Sequence, residues 1–217
     1  MKVLELFSGT RSVGKICDEL GWDSYSVDLI SDADFKGDVM NFDYKQFPND
    51  TFDIIWASPP CTNYSKLQDG WLGRMRKGEI YTKEIQEKEM NEDDKLVLRT
   101  LEIINYFNCS WFIENPAGSK MKDRSMMKDL PNYVVDYCMY SDWGYRKRTR
   151  IWTNLKGYDA KTCNKKCGNM IGTLHKTNLG NTERKQKTEG ISTSQDDRYR
   201  IPPELIRDLF TEIISNY

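Results

Sequence analysis

The chain has almost no net charge. Its 32 Lys and Arg stand against 33 Asp and Glu in 217 residues, leaving −1, with an isoelectric point near 6.0. That excludes a strongly basic protein coating nucleic acid over its whole surface, but not local basic patches. Long apolar runs are also missing. No window approaches the roughly 18 apolar residues of a membrane span, and mean hydropathy is −0.72, so no membrane partner is expected. The start, Met1-Lys2-Val3-Leu4-Glu5-Leu6-Phe7, is short for an export signal and carries Glu5, so it reads as a first strand. Without such a signal, the six cysteines are expected as reduced thiols in a cytoplasmic, reducing compartment and not as a disulfide scaffold. No internal repeat is visible, and His175 is the one histidine.

The chain does carry an alternation of strand and helix patterns. Val3–Phe7, Ser24–Val27, Phe52–Ala57, Trp111–Ile113, Tyr133–Tyr137 and Ile151–Thr153 read as strands. Arg11–Leu20 and Glu92–Phe107 have helical spacing, and Pro203–Ile214 reads as an amphipathic helix led by Pro202-Pro203. Residues 62–90 read as a long loop or a partly helical lid carrying Lys66, Arg74, Arg76, Lys77, Lys83 and Lys88. Strand alternating with helix implies an α/β fold with a parallel sheet. Residues 1–154 would form a core, 155–200 a short basic, partly flexible insert, and 201–217 a helix completing the core. Within the insert, Thr182–Asp197 is a low-complexity stretch expected to be mobile.

Two sheet ends carry chemistry. After the first strand, Phe7-Ser8-Gly9-Thr10 opens a helix, where glycine lets backbone approach a ligand. Asp28 ends the second strand, where a carboxylate accepts ribose hydroxyls. Asp38 follows a third short unit and could accept an adenine amine. The full dinucleotide glycine pattern is absent, with Arg11 and Ser12 in its later positions. Further on, Ser58-Pro59-Pro60-Cys61 follows the strongest strand, and Glu114-Asn115-Pro116 ends another apolar run. A thiolate adding to carbon 6 of cytosine, with nitrogen 3 protonated at the same time, makes the ring electron-rich at carbon 5; Cys61 and Glu114 suit these two roles. Cys17 and Cys109 read as inert.

These blocks, in this order, resemble the cytosine carbon-5 DNA methyltransferase family. Leu6-Phe7-Ser8-Gly9-Thr10 resembles its cofactor block, Pro59-Pro60-Cys61 its Pro-Cys block, and Glu114-Asn115-Pro116 its Glu-Asn-Val block. Arg146-Lys147-Arg148-Thr149-Arg150-Ile151-Trp152 resembles its Gln-x-Arg-x-Arg block. The short form is most similar to virus- or phage-encoded members. The resemblance implies a Rossmann-like, S-adenosylmethionine-dependent methyltransferase fold, with a mostly parallel sheet flanked by helices and a reduced recognition segment. It implies S-adenosylmethionine as cofactor, held by Phe7, Ser8, Gly9, Thr10, Asp28, Leu29, Asp38, Val39 and Pro59. Cys61 would be the nucleophile, Glu114 the acid, and Arg148 and Arg150 would lie beside the base, Arg148 contacting the pyrimidine. The substrate implied is duplex DNA with its cytosine flipped out, and the 62–90 loop would close over it with its cations on phosphates.

The chain departs from the family in three places. Arg146 stands where glutamine is usual, Tyr199-Arg200 stands where a Gly-Asn pair is usual, and only about fifty residues separate Arg150 from the C-terminal match Ile201-Pro202-Pro203-Glu204-Leu205. So short a recognition segment reads few bases or borrows a specificity-supplying partner protein. Leu155–Gly190 holds 8 Lys and Arg against 3 Asp and Glu, a phosphate-facing patch or a solvated loop. Cys163, Cys167 and His175 lie there at spacings permissive for structural zinc, with Cys138 the candidate fourth ligand. Two other readings stay open: the same chemistry on RNA or a free nucleotide, and a catalytically silent binding or regulatory subunit.

Overall fold

The computed structural model describes residues 1–177 and 195–215. The chain opens with β1 (Lys2–Leu6), α1 (Ser12–Leu20), β2 (Asp23–Asp28), β3 (Phe35–Lys36) and β4 (Ile54–Ala57). A small hairpin, β5 (Met75–Arg76) and β6 (Glu79–Ile80), precedes α2 (Lys83–Phe107). Next come β7 (Ser110–Pro116), β8 (Asn132–Asp136) and β9 (Arg148–Thr153). A second hairpin, β10 (Met170–Ile171) and β11 (Leu174–His175), is followed by α3 (Gln195–Tyr199) and α4 (Pro203–Ser215).

Seven strands form one sheet in the order β3-β2-β1-β4-β7-β9-β8. Pairing is parallel from β3 through β7. Only β9 runs the other way, antiparallel to both β7 and β8. The expected mostly parallel, Rossmann-like sheet is therefore present. The chain leaves β1 toward β2 on one side and places β4 on the other, so a topological switch lies between β1 and β4.

Both faces are covered, which is why the central strands are apolar on both sides. Val3, Ile54, Trp56, Phe112 and Ile151 face α1 and α4, which bury Val13, Ile16, Leu205, Leu209 and Phe210. The alternate residues Leu4, Leu6, Ile55, Ala57, Ile113 and Trp152 pack with Val97, Ile103, Ile104 and Phe107 of α2. Leu155 and Tyr158, expected in the insert, are buried with the first group, so the core extends past residue 154.

Three local differences from the sequence reading have physical causes. α2 starts at Lys83 instead of Glu92, because Thr82 caps it by accepting from Ile85 N–H at 3.3 Å. Its polar first turns still bury Gln86 and Met90. Strand β7 runs to Pro116, so Glu114 lies inside a strand and not beyond one. Strand β9 starts at Arg148, which places Arg148–Trp152 of the arginine block on the sheet and leaves Arg146 and Lys147 just before it. The low-complexity stretch lies outside the described residues up to Ser194. Among the described residues no helix is long and apolar enough to cross a membrane.

Candidate active site

The loop after β1 is conformationally unusual. Phe7, Gly9 and Arg11 all have left-handed φ, at 58°, 45° and 53°. For Phe7 and Arg11 this is strained, and such strain clusters at ligand-holding loops. Arg11 provides no side-chain cap for α1. Instead Glu5, from the strand beneath, accepts from Val13 N–H at 3.1 Å and Gly14 N–H at 2.9 Å. Burial pushes the Glu5 carboxyl up to about 7, with those two N–H bonds opposing.

Asp28 ties the β2 end to this loop: its carboxylate accepts from Gly9 N–H at 2.9 Å and from Ile30 and Ser31 N–H at 2.9 and 2.7 Å. Burial would raise its pKa, but these N–H bonds outweigh it and hold the carboxyl below its ordinary value. Leu29 and Ile30 beside it are exposed. Asp38 accepts from Met40 N–H at 2.9 Å, capping a short turn that buries Val39. Ser8 Oγ is buried without a hydrogen-bond partner, which leaves it available to a ligand. Next to Thr10 and Ser12, a crevice of about 510 Å³ runs to Trp143, Arg200 and Ile201, within the range of small-ligand sites. Arg200, at the departure from the family's Gly-Asn pair, lies 3.8 Å over the Trp143 ring. An orphaned hydroxyl and exposed apolar residues beside Asp28 fit a nucleoside cofactor.

Cys61 follows β4, and Glu114 lies in the neighbouring strand β7. Ala57 pairs with Ile113, so the Pro-Pro break leaves β4 beside Glu114, which stays in the sheet. Asn115 clamps them, its Nδ2 donating to Pro59 O at 3.0 Å. The loop after Cys61 is fixed to α2 by Tyr64 Oη, which donates to Asp94 at 2.7 Å. Burial pushes the Cys61 thiol up, the Glu114 charge adds to this, and Lys147 opposes both.

Lys147 was not expected at this site. Its Nζ lies 3.4 Å from Glu114 Oε1 and 4.8 Å from the Tyr137 ring centroid. Tyr137 Oη donates to the same Oε1 at 3.1 Å. Glu114, Tyr137 and Lys147 are all buried. Strand alternation explains the arrangement. Glu114 pairs with Ile151, so Thr149 and Lys147 follow on its face. Arg148 and Arg150 fall on the other face, with Trp152. Arg148 donates to Asp136 through Nε at 3.0 Å and Nη2 at 2.8 Å. Arg150 bonds Asn132. Without the antiparallel register of β9, sequence spacing could not tell Lys147 from its neighbours.

Of the cations in 62–90, Arg76 is paired with Glu89 at 2.6 Å and stacked on Tyr81, and Lys77 joins the same carboxylate at 3.3 Å. Lys66, Arg74, Lys83 and Lys88 are exposed.

The four expected metal ligands converge. One ligand atom from each of Cys138, Cys163, Cys167 and His175 lies within 4.8 Å of all the others. Cys163 Sγ is 3.6 Å from Cys167 Sγ, and His175 Nε2 is 3.6 and 3.4 Å from these two sulfurs. A tetrahedral zinc site with Zn–S of about 2.3 Å and Zn–N of about 2.0–2.1 Å has edges of about 3.8 and 3.5 Å. The three edges among Cys163, Cys167 and His175 match those dimensions, and Cys138 Sγ lies within 4.8 Å of each.

No family model matches the chain. A probable DNA (cytosine-5)-methyltransferase of Frog virus 3 (isolate Goorha) is 41% identical over 222 aligned positions, which span 96% of this chain and 98% of that protein. Among solved structures, the S. pombe Dnmt2 methyltransferase aligns with a TM-score of 0.44 at 14% identity, covering 74% of this chain and 51% of that one. The Entamoeba histolytica methyltransferase EhMeth aligns with a TM-score of 0.49 at 15% identity, covering 74% and 55%. The chain thus spans about half the length of these two solved proteins and nearly the whole of the viral one. At that identity and coverage of the viral relative, the chain belongs to the DNA (cytosine-5)-methyltransferase family.

Proposed function

We propose that this protein transfers a methyl group from S-adenosylmethionine to carbon 5 of cytosine in duplex DNA, through a covalent adduct at Cys61. One observation carries the reading: the loop after β4 that carries Cys61 is clamped by Asn115 alongside Glu114 of the adjacent parallel strand β7, beside the strained loop after β1. When bound, the cofactor supplies an electrophilic methyl group. Phe7–Thr10, with Ser8 Oγ, and Asp28 with Leu29 hold its nucleoside; Asp38, Val39 and Pro59 complete the site. Cys61 gives up its proton and adds to carbon 6 of the flipped base, while Glu114 protonates nitrogen 3. After methyl transfer, the carbon-5 proton is lost to solvent, nitrogen 3 returns its proton to Glu114, and Cys61 leaves as thiolate. Arg148 and Arg150, on β9, serve as substrate contacts.

The same reading assigns one structural zinc ion to Cys138, Cys163, Cys167 and His175. Free thiols at all six cysteines suit a reducing intracellular compartment. With so short an insert, base choice is narrow or supplied by a partner protein.

Radiolabelled methyl transfer tests this. Duplex DNA is expected to be labelled, and Cys61→Ala to abolish labelling while retaining cofactor binding by calorimetry. Labelling that survives Cys61→Ala sinks the covalent mechanism. Labelling of RNA in preference to duplex DNA sinks the substrate assignment.

A further inference from the structure

The metal cluster, the arginine block and the acid at Cys61 are joined by two short peptides. In Asp136-Tyr137-Cys138, the first residue holds arginines, the second bonds Glu114, and the third is a metal ligand. In Arg146-Lys147-Arg148, the outer two bond Asp136 and the middle one faces Glu114. The peptides are tied directly by Tyr137 N–H donating to Lys147 O at 3.0 Å.

Asp136 is the junction. It is fully buried. Its Oδ1 accepts from Arg146 Nε at 2.9 Å and Arg148 Nε at 3.0 Å. Its Oδ2 accepts from Arg148 Nη2 at 2.8 Å and from the backbone N–H of Cys163 at 2.7 Å. A metal ligand therefore donates to the carboxylate that orients both guanidiniums. The Arg148 side chain keeps 47% exposure and that of Arg146 29%, so the pair is held from behind while remaining open in front. Lys165 and Lys166, between ligands Cys163 and Cys167, are exposed.

We propose that the metal ion in this cluster, zinc by its ligand chemistry, positions Arg146 and Arg148 to bind the phosphates of duplex DNA, acting through Cys163 and Asp136. This rests on the zinc and DNA readings above. Without the ion, three sulfurs and one imidazole are held to one another only by weak thiol and imidazole hydrogen bonds, with Lys165 N–H donating to Cys163 Sγ at 3.3 Å. Cys163 is then free to move, and Asp136 loses one of its four donors. A buried carboxylate with an incomplete donor set no longer fixes its arginines. With the ion, the closed tetrahedral site fixes Cys163 and hence the fork. Arginine suits the task because its planar donors grip phosphate and carboxylate at once.

The test uses the full chain, with a short fluorescent DNA duplex as probe. Purified protein should contain one zinc per chain by elemental analysis. Removing it with a chelator should weaken duplex binding at least tenfold while leaving S-adenosylmethionine binding intact, and zinc readdition should restore affinity. Cys167→Ser should behave as the stripped protein. Arg148→Gln should lose part of that affinity with zinc retained, and the combined variant should lose no more than Cys167→Ser alone. Stripped protein that binds duplex as tightly as loaded protein overturns the proposal, as does an additive loss in the combined variant. Protein that takes up no zinc overturns the metal assignment itself. Zinc and duplex binding that persist without methyl transfer overturn only the catalytic reading.

Discussion

At the scale of single residues, Lys147 changes how the Cys61 site works. A thiol must become thiolate to add to a ring, yet burial and the Glu114 charge both push the Cys61 thiol up. Lys147 is the cation that opposes them. Lys147→Met should therefore move the pH profile of Cys61 alkylation by iodoacetamide to higher pH, and Lys147→Arg should restore part of the shift. An unmoved profile in Lys147→Met removes this role. The same change leaves Glu114 buried with Tyr137 but no cation, and should cost about 3 kcal/mol in urea unfolding. Cys61 and Glu114 were legible in the sequence because each sits at a break in an apolar run. Lys147 was not, because a lysine flanked by arginines reads as one more surface cation until strand direction assigns its face.

At the scale of elements, α1 is capped by a strand residue, and this couples the cofactor loop to pH. Glu5 sits near 7 in the folded protein against an ordinary 4.5. Between those values the unfolded chain releases a proton that the folded chain retains. Stability should therefore fall as pH rises from about 4.5 to about 7. Glu5→Gln should flatten that slope in unfolding titrations followed by circular dichroism; an unchanged slope assigns it elsewhere. The insert is docked by a different device. Asn169 is buried and bonds Gly144 N–H, Cys138 O and Ser141 O. Gly144 has φ +82°, and a Cβ there would meet Thr177 Oγ1 at 2.7 Å. Gly144→Ala should cost about 2 kcal/mol, from left-handed strain and that clash, and should speed proteolysis between residues 160 and 177. Strands and helices with apolar periodicity were readable directly. The polar start of α2, the reversal of β9 and the docking of the insert were not, because tertiary hydrogen bonds set them and local pattern did not.

At the scale of the whole molecule, a nearly neutral chain has to hold a polyanion. Thirty-two cations against 33 anions give no general attraction, so affinity must come from where charge is concentrated and left unpaired by the fold. The 62–90 segment contributes less than its composition suggests, since Glu89 takes Arg76 and Lys77. In the insert, Lys161 is paired with Asp208, while Lys165 and Lys166 are exposed on the turn that also carries the metal ligands. The fold thus places exposed lysines on the segment that fixes Arg146 and Arg148, and a small number of phosphate contacts should account for most of the binding. Each contact contributes about −0.9 to the slope of log affinity against log salt. Replacing Lys165 and Lys166 together by Gln should therefore reduce the slope by about 2, weaken binding equally across duplex sequences, and leave zinc content unchanged. A slope that stays the same would place the phosphate contacts elsewhere, with the exposed Lys66, Arg74, Lys83 and Lys88 the next candidates.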